Sequence, residues 1–287
     1  MIDLIRRALR AARLDDVTSL TSLSGGSIHN VQLAVLASGA QIVCKVASGA
    51  DGYRMLESEQ RSLALLRASG AGTVPQVLGG LREDAAAVLL LEYLPPGTDP
   101  DWSAAGWSLA TIHEQQAGGR YGSEHEVWLG TTCFPGGWFD DWAAWIAERR
   151  LRPLLRSAAD AGAMGAGEVA AVERLCGRIH ALVPSRPQPS LLHGDLWSGN
   201  VHVCADGQVA FLDPACFIGD AWMDPAMTLL FGGVPAEFLD AWRDQWGDHE
   251  QCAERIAVGQ AMHLLNHVRM FGAAYVSQLM GVVSNLS

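Results

Sequence analysis

One change of character along the chain constrains its fold more than any other feature. The segment L-E-Y-L-P-P-G-T, residues 91–98, ends an apolar run with Pro95, Pro96 and Gly97, which stop a strand and suit a connector. Before it, short strand-like runs dominate. They flank the glycine-bearing stretch S-L-S-G-G-S-I-H-N as a hairpin with glycine near its tip, include Q-I-V-C-K-V-A at 41–47, and recur around 76–78 and 87–93. Two helices are predicted among them, over 1–15 and 53–67, the second closed by Gly70 and Gly72. After the connector the pattern turns helical, over 102–113, 138–155, 167–182, 235–246 and 250–274, while the Ala/Gly-rich stretch 158–167 reads as a loop. This segregation predicts an α/β (α+β) chain of two lobes, a small β-rich one over 1–94 and a larger, mainly helical one over 95–287.

One island of strand interrupts the helices, L-L-H-G-D-L-W-S-G-N-V-H-V-C-A-D-G-Q-V-A-F-L-D-P-A at 191–215. Asp206-Gly207 is a two-residue hairpin signal between strands at 201–204 and 208–212. A hairpin returns the chain to its starting end, so Asp195 and Asn200 before it and Asp213 after it gather at one edge. Each alone fits a turn role. Together they suit a hard cation such as magnesium, which takes one or two protein carboxylates and completes its shell with nucleotide phosphates.

Of the 20 lysines and arginines, Lys45 is the only lysine, and it sits inside an alternating apolar strand. The following helix places Leu56, Glu59, Leu63 and Leu66 on one face, whereas Glu57 lies about 200° away at about 100° per residue and faces water. A charged, unpaired glutamate on an apolar stripe costs several kcal/mol, so Glu59 needs a cation, and Lys45 is the nearest candidate.

A net charge of −11 with no basic stripe excludes a nucleic-acid backbone binder and disfavours an anionic membrane surface. The six cysteines are dispersed, with no C-x-x-C pair, and read as reduced core residues of a cytoplasmic protein. The N-terminal stretch is amphipathic without a signal-peptide apolar core, and no apolar span is long enough to cross a membrane.

H-G-D-L-W-S-G-N followed by F-L-D-P-A resembles the catalytic and metal-binding loops of protein-kinase-like phosphotransferases. D-P-A-C-F-I-G-D-A-W-M-D-P-A-M-T-L-L-F-G-G, the later L-L-N-H-V-R-M-F-G, G-G-S-I near the start, E-Y-L at the hinge and W-F-D-D-W-A-A-W-I-A-E-R-R-L extend the likeness. With them nearly the whole chain is similar to the fructosamine kinase (ketosamine 3-kinase) family. Aminoglycoside and choline kinases share the two loops but not the D-L-W-S-G-N wording or the F-G-G end, and come second. The chain departs from the family pattern at Asp224-Pro225-Ala226 and at Ile218, positions that bear on the acceptor rather than on the reaction.

The resemblance implies ATP and Mg2+, and phosphorylation of the sugar 3-hydroxyl of a free or protein-attached ketosamine such as fructosamine or ribulosamine, a deglycation-type repair. It assigns Asp195 to orient the hydroxyl, Asn200 and Asp213 to the metal, Lys45 to the α/β-phosphates and Glu59 to the lysine. Gly25, Gly26 and Ser27 can lay backbone N–H groups over phosphates, and Glu92, Tyr93 and Leu94 fall where a hinge meets adenine. Candidates for the acceptor side are Trp197, Asp220, Asp224, Asn266 and His267; Trp197 serves equally as packing, Asn266 and His267 read more often as satisfied polar groups facing a neighbouring helix, and His193 reads as structural. A nucleotide-binding pseudokinase is the alternative of another class, against which the intact Lys45, Asp195, Asn200 and Asp213 argue. A paired-carboxylate hydrolase gives no reason for the Lys–Glu pair.

Overall fold

Alternation along one strand decides how the first lobe is built. The computed structural model describes residues 1–23, 30–83, 86–115 and 118–286. In β3 (Gln41–Ser48), Ile42, Cys44 and Val46 face one side of a sheet, and Val43, Lys45 and Ala47 face the other. The sheet is antiparallel in the order β1 (Val17–Ser22), β2 (Asn30–Leu36), β3, β5 (Ala86–Glu92), β4 (Val77–Glu83). Both faces carry apolar residues, so both are covered. Helix α1 (Ile2–Ala11) lays Leu4, Ile5, Ala8 and Leu9 against Ile42, Cys44, Val88 and Leu90, and α2 (Gly49–Ala68) lays Leu56, Leu63 and Leu66 against Ala47, Leu89 and Leu91. Two hairpins stand where one was expected, and the glycine turn at 24–29 lies outside the described residues.

The Pro-Pro-Gly connector is docked rather than free. Gly97 N–H donates to Val203 O at 2.8 Å and Ala205 N–H to Pro95 O at 2.8 Å, so the connector runs along the hairpin of β11 (Val201–Val203) and β12 (Val209–Phe211). The hairpin turn is also longer than its Asp-Gly signal implies. Cys204 O accepts from Gly207 N–H and Cys204 N–H donates to Gln208 O, a three-residue loop with Gly207 at φ +81°.

The remainder is mainly helical. It comprises α3 (Trp102–His113), α4 (Trp142–Ile146), α5 (Arg152–Asp160), α6 (Ala166–Gly177), α7 (Ile179–Leu182), α8 (Met223–Phe231), α9 (Ala236–Trp246), α10 (Cys252–Phe271) and α11 (Val276–Asn285). The helix predicted over 138–155 starts later, at Trp142, and runs without a gap to Asp160 through a π-helical turn. Asp141 caps α4 by accepting from Ala144 N–H, and a π-helical turn over Ala147–Leu151 precedes Pro153, whose missing N–H and bulky ring do not fit a regular ladder. The loop expected at 158–167 shrinks to the residues between α5 and α6.

Short strands escaped the sequence reading: β6 (Tyr121–Ser123), β7 (Val127–Leu129), β8 (Thr132–Phe134), β9 (Gly137–Phe139), β10 (Pro189–Leu192) and β13 (Phe217–Asp220). Runs of three or four residues carry no usable period. They form a sheet β10-β13-β6-β9 and a separate β7–β8 hairpin. Helix α8 was missed because Met223–Thr228 are buried on all sides, which erases the amphipathic pattern. All six cysteines are unpaired thiols, and among the described residues no helix is long and apolar enough to cross a membrane.

Helices α3 and α9 touch where Gly106 has no side chain, since a Cβ there would stand 2.2 Å from Phe238 O. Alanine favours a helix over glycine by about 1 kcal/mol, but a backbone clash forces the helices apart at about 1–3 kcal/mol. Gly106→Ala is therefore expected to lower the melting temperature, as read by circular dichroism; an unchanged or raised temperature contradicts this account.

Candidate active site

The hairpin β11–β12 does what its sequence promised at its open end. Asn200 Nδ2 donates to Asp195 O at 2.8 Å and to Asp195 Oδ2 at 3.1 Å, and Leu212 N–H donates to Asn200 O at 2.8 Å, joining the loop before the hairpin to the one after it. Gly194 is required here, because its φ is +83° and a Cβ would lie 2.2 Å from Ala215 O. Asp213 itself adopts a left-handed φ of +52°, uncommon for a residue with a side chain.

His193 ties the two loops from beneath. It is fully buried; its Nδ1 accepts from Asp195 N–H at 3.2 Å and its Nε2–H donates to Leu212 O at 2.9 Å. Burial, only partly opposed by Asp224 and the Leu212 carbonyl, lowers its pKa. The ring is thus a structural link, as the sequence reading held.

Asp224 supports the same loop. Its Oδ2 accepts from His193 N–H at 2.7 Å and its Oδ1 from Gly194 N–H at 2.8 Å. His113 Nε2–H donates to Oδ2 at 3.0 Å, while Trp242 Nε1–H donates to His113 Nδ1 at 3.0 Å. An indole N–H can only donate, which fixes the His113 tautomer with its proton toward Asp224. Despite burial, these donors hold the Asp224 carboxyl below the usual range.

Lys45 enters from the other lobe. Its Nζ lies 2.6 Å from Glu59 Oε1 and also bonds Asp213 Oδ1, with 5% of the lysine and 8% of the glutamate exposed. Burial would depress the ammonium, but the Glu59 and Asp213 carboxylates outweigh it and hold Lys45 charged, above its ordinary pKa. Burial pushes the Glu59 carboxyl up against the pull of Lys45. Burial, reinforced by the negative charge of Asp213, likewise pushes Asp195 up to about 7, against the Asn200 hydrogen bond.

A cavity of about 350 Å³ opens between the lobes over Lys45, Glu59 and Asp213. Val31, Val43, Leu63, Leu91 and Leu212 line it with apolar surface, Lys45, Glu59, Asn200 and Asp213 supply its polar end, and Glu92, Tyr93 and Leu94 border it at the connector. Glu92 is braced by Gln76, whose N–H its carboxylate accepts at 3.0 Å, and Leu94 O accepts from the His202 ring at 2.9 Å.

The donor set suits a magnesium ion only in company. Asn200 spends its amide N–H groups on Asp195, and no protein donor meets its Oδ1 or Asp213 Oδ2 among the described residues. These are two hard oxygens, and no group of three or more His, Cys, Asp or Glu forms a metal cage among the described residues. Such a site fits an ion that brings phosphate oxygens and water for the rest of its shell.

The acceptor-side candidates separate. Trp197 is 38% exposed and its indole lies over Gly199, where a Cβ would stand 2.3 Å from the ring; Gly199 also lines the cavity. His267 is half-buried, donates through Nδ1 to His263 O at 2.8 Å and sits among Phe231, Phe271 and Tyr275. Three others are turned inward, contrary to the expectation of an acceptor pocket. Asp220 is 1% exposed and paired with Arg255 through contacts of 2.6 and 2.7 Å, and Asp224 is committed to the loop as described. Asn266, 1% exposed, bonds Thr132 and Leu129 O of the β7–β8 hairpin rather than a neighbouring helix. Burial decides each case, because a fully desolvated carboxylate must find its donors inside the protein. His113, Trp242 and His202 were missed altogether, since lone residues on separate elements leave no spacing to read. Gly25, Gly26 and Ser27 lie outside the described residues.

A five-stranded sheet bearing a lysine, a helix bearing its glutamate and a helical lobe bearing Asp195, Asn200 and Asp213 make a protein-kinase-like fold. The structure superposes on a provisionally named fructosamine-3-kinase from Haemophilus somnus 129PT with a TM-score of 0.89 at 24% identity, covering 100% of this chain and 97% of the other. A second so named, from Thermobifida fusca, gives 0.84 at 29% identity with 96% of each chain covered. In sequence, the chain is 32% identical to the "Probable ketoamine kinase" of Vibrio parahaemolyticus over 91% of this chain and 90% of that one. Residues 1–287 match the fructosamine kinase family throughout, and the chain belongs to that family of phosphotransferases acting on a hydroxyl group.

Proposed function

We propose that the protein transfers the γ-phosphoryl group of ATP to the sugar 3-hydroxyl of a ketosamine, such as a fructosamine or ribulosamine, free or protein-bound, as a deglycation-type repair in the cytoplasm. The observation that carries the phosphoryl-transfer reading is Lys45, held between Glu59 and Asp213 at the edge where Asp195 and Asn200 meet. The names of the ketoamine kinases it is similar to support the acceptor class. Residues 1–94 form the nucleotide-binding lobe and 95–287 the catalytic and acceptor lobe.

In this reading the hinge at Glu92, Tyr93 and Leu94 receives adenine, and the apolar walls take its faces. Lys45 contacts the α/β-phosphates while Glu59 keeps it aimed. Asn200 and Asp213 hold a divalent cation, which supplies charge neutralisation across the phosphates. Asp195 accepts a hydrogen bond from the acceptor hydroxyl, orients it and takes its proton as the bond to phosphorus forms. Trp197 and His267 offer an aromatic side to the acceptor. Gly25, Gly26 and Ser27 over the phosphates remain a reading of the sequence. Positioning and charge neutralisation carry most of the rate.

Three measurements test this reading. In an ATP-consumption assay over a panel of acceptors, activity is expected on ketosamines; turnover of an aminoglycoside or choline and of no ketosamine removes the proposed acceptor. Asp195→Asn is expected to retain MgATP binding while transfer falls about 10²- to 10⁴-fold, and undiminished transfer takes Asp195 out of the reaction. Lys45→Arg keeps the charge but not the shape, because a planar guanidinium does not fit the space of a compact ammonium. Loss of one charge-assisted bond, about 1.5–3 kcal/mol, predicts a roughly 10- to 150-fold fall in kcat/KM for ATP with the fold intact, whereas full activity makes the lone lysine incidental.

A further inference from the structure

Helix α2 carries a polar stripe that its packing does not call for. Arg54, Ser58 and Ser62 recur every four residues and so share one face. Ser58 and Ser62 are each 3% exposed, and both hydroxyls accept from backbone outside the helix. Ser58 Oγ accepts from Trp128 N–H at 3.1 Å, and Ser62 Oγ from Cys216 N–H at 3.0 Å, just past the Asp213 loop.

Arg54 grips the same hairpin as Ser58. Its guanidinium forks onto Glu126, Nε to Oε1 at 2.8 Å and Nη2 to Oε2, and lies 5.3 Å over the Trp128 ring. Glu126 Oε1 also accepts from Trp128 Nε1 at 3.0 Å. The turn end of the hairpin, where Leu129 pairs with Thr132, is fixed to α10: Asn266 bonds Thr132 and Leu129 O, and Arg269 donates to Thr132 Oγ1 at 2.9 Å. A continuous path therefore runs from α10 through β7–β8 to α2, whose Glu59 is the partner of Lys45.

We propose that the β7–β8 hairpin is an intramolecular clamp that holds α2 in the one position where Glu59 reaches Lys45, making Arg54, Ser58, Glu126 and Trp128 positioning residues. The inference rests on the reading of Lys45 and Glu59 as the phosphate-binding pair. A half-exposed Arg–Glu pair contributes little to stability on its own. Its value here is geometric, since a contact of 2.6 Å does not survive a displacement of α2 by about 1 Å, a misplacement that costs an enzyme on the order of 10²-fold.

The test is a double-mutant cycle read by MgATP calorimetry, with circular dichroism to confirm folding. Arg54→Ala is expected to weaken MgATP binding roughly five- to fiftyfold. In a Glu59→Gln background the same change should add less than about twofold, because the contact it protects is already gone. Glu126→Gln keeps the shape and the Trp128 bond, so it should act in the same direction even where Arg54→Ala folds poorly. Unchanged affinity in both clamp variants, or an equal loss in both backgrounds, overturns the clamp. Amide hydrogen exchange over α2 reads the clamp without nucleotide: faster exchange in Glu126→Gln is expected, and unchanged exchange also overturns it. A wild-type protein that binds no MgATP would instead refute the phosphate-binding reading, and the exchange measurement would still decide the clamp.

Discussion

A charge removed from water must be answered nearby, and the buried ammonium of Lys45 imposes that demand on both halves of this molecule. Glu59 answers from α2 and Asp213 from the loop after β12, so one Nζ joins the sheet, its covering helix and the helical lobe. Breaking such a pair by removing one partner costs about 3–5 kcal/mol, because the other charge is left buried and alone. The surrounding elements are arranged to prevent that. Val43 and Ala47 put Lys45 on the α2 side of the sheet, and Leu56, Leu63 and Leu66 seat α2 so that Glu59 points at it.

The loop that meets this lysine is held by partners of a different kind. Asp224 engages two backbone N–H groups at His193 and Gly194, and His193 spans from Asp195 to Leu212. A backbone in unusual conformations, with Gly194 and Asp213 both at positive φ, persists because these bonds overdetermine it. These bonds fix the loop's groups in place, an arrangement suited to transfer that depends on placing groups rather than on covalent steps.

Legibility followed the range of the interaction. The helix face carrying Glu59, the hairpin gathering Asp195, Asn200 and Asp213, and the break at Pro95-Pro96-Gly97 all rest on contacts within a few residues or one turn of chain. Periodicity or turn chemistry encodes these. The strands β6 to β9 and helix α8 lay beyond reach because short or wholly buried elements have no polar side to mark a period. Asp220, Asp224 and Asn266 looked like an acidic and polar acceptor wall, yet each is satisfied by a partner at least 30 residues away, Arg255, Gly194 and Leu129 among them.

The sequence by itself determined the two-lobed plan, the strand that carries the single lysine, the helix face that carries its glutamate, and the turn that brings three oxygen-bearing side chains to one edge. These follow from side-chain period and turn geometry, which are local properties of a polypeptide. Only the tertiary structure decided which carboxylates face the cleft and which are buried as braces, and that the connector lies docked on β11–β12. It alone also joined Trp242, His113 and Asp224 into one support. The physical reason is that the fate of a charge depends on its desolvation and on donors brought from distant parts of the chain, and neither exists until the elements have packed.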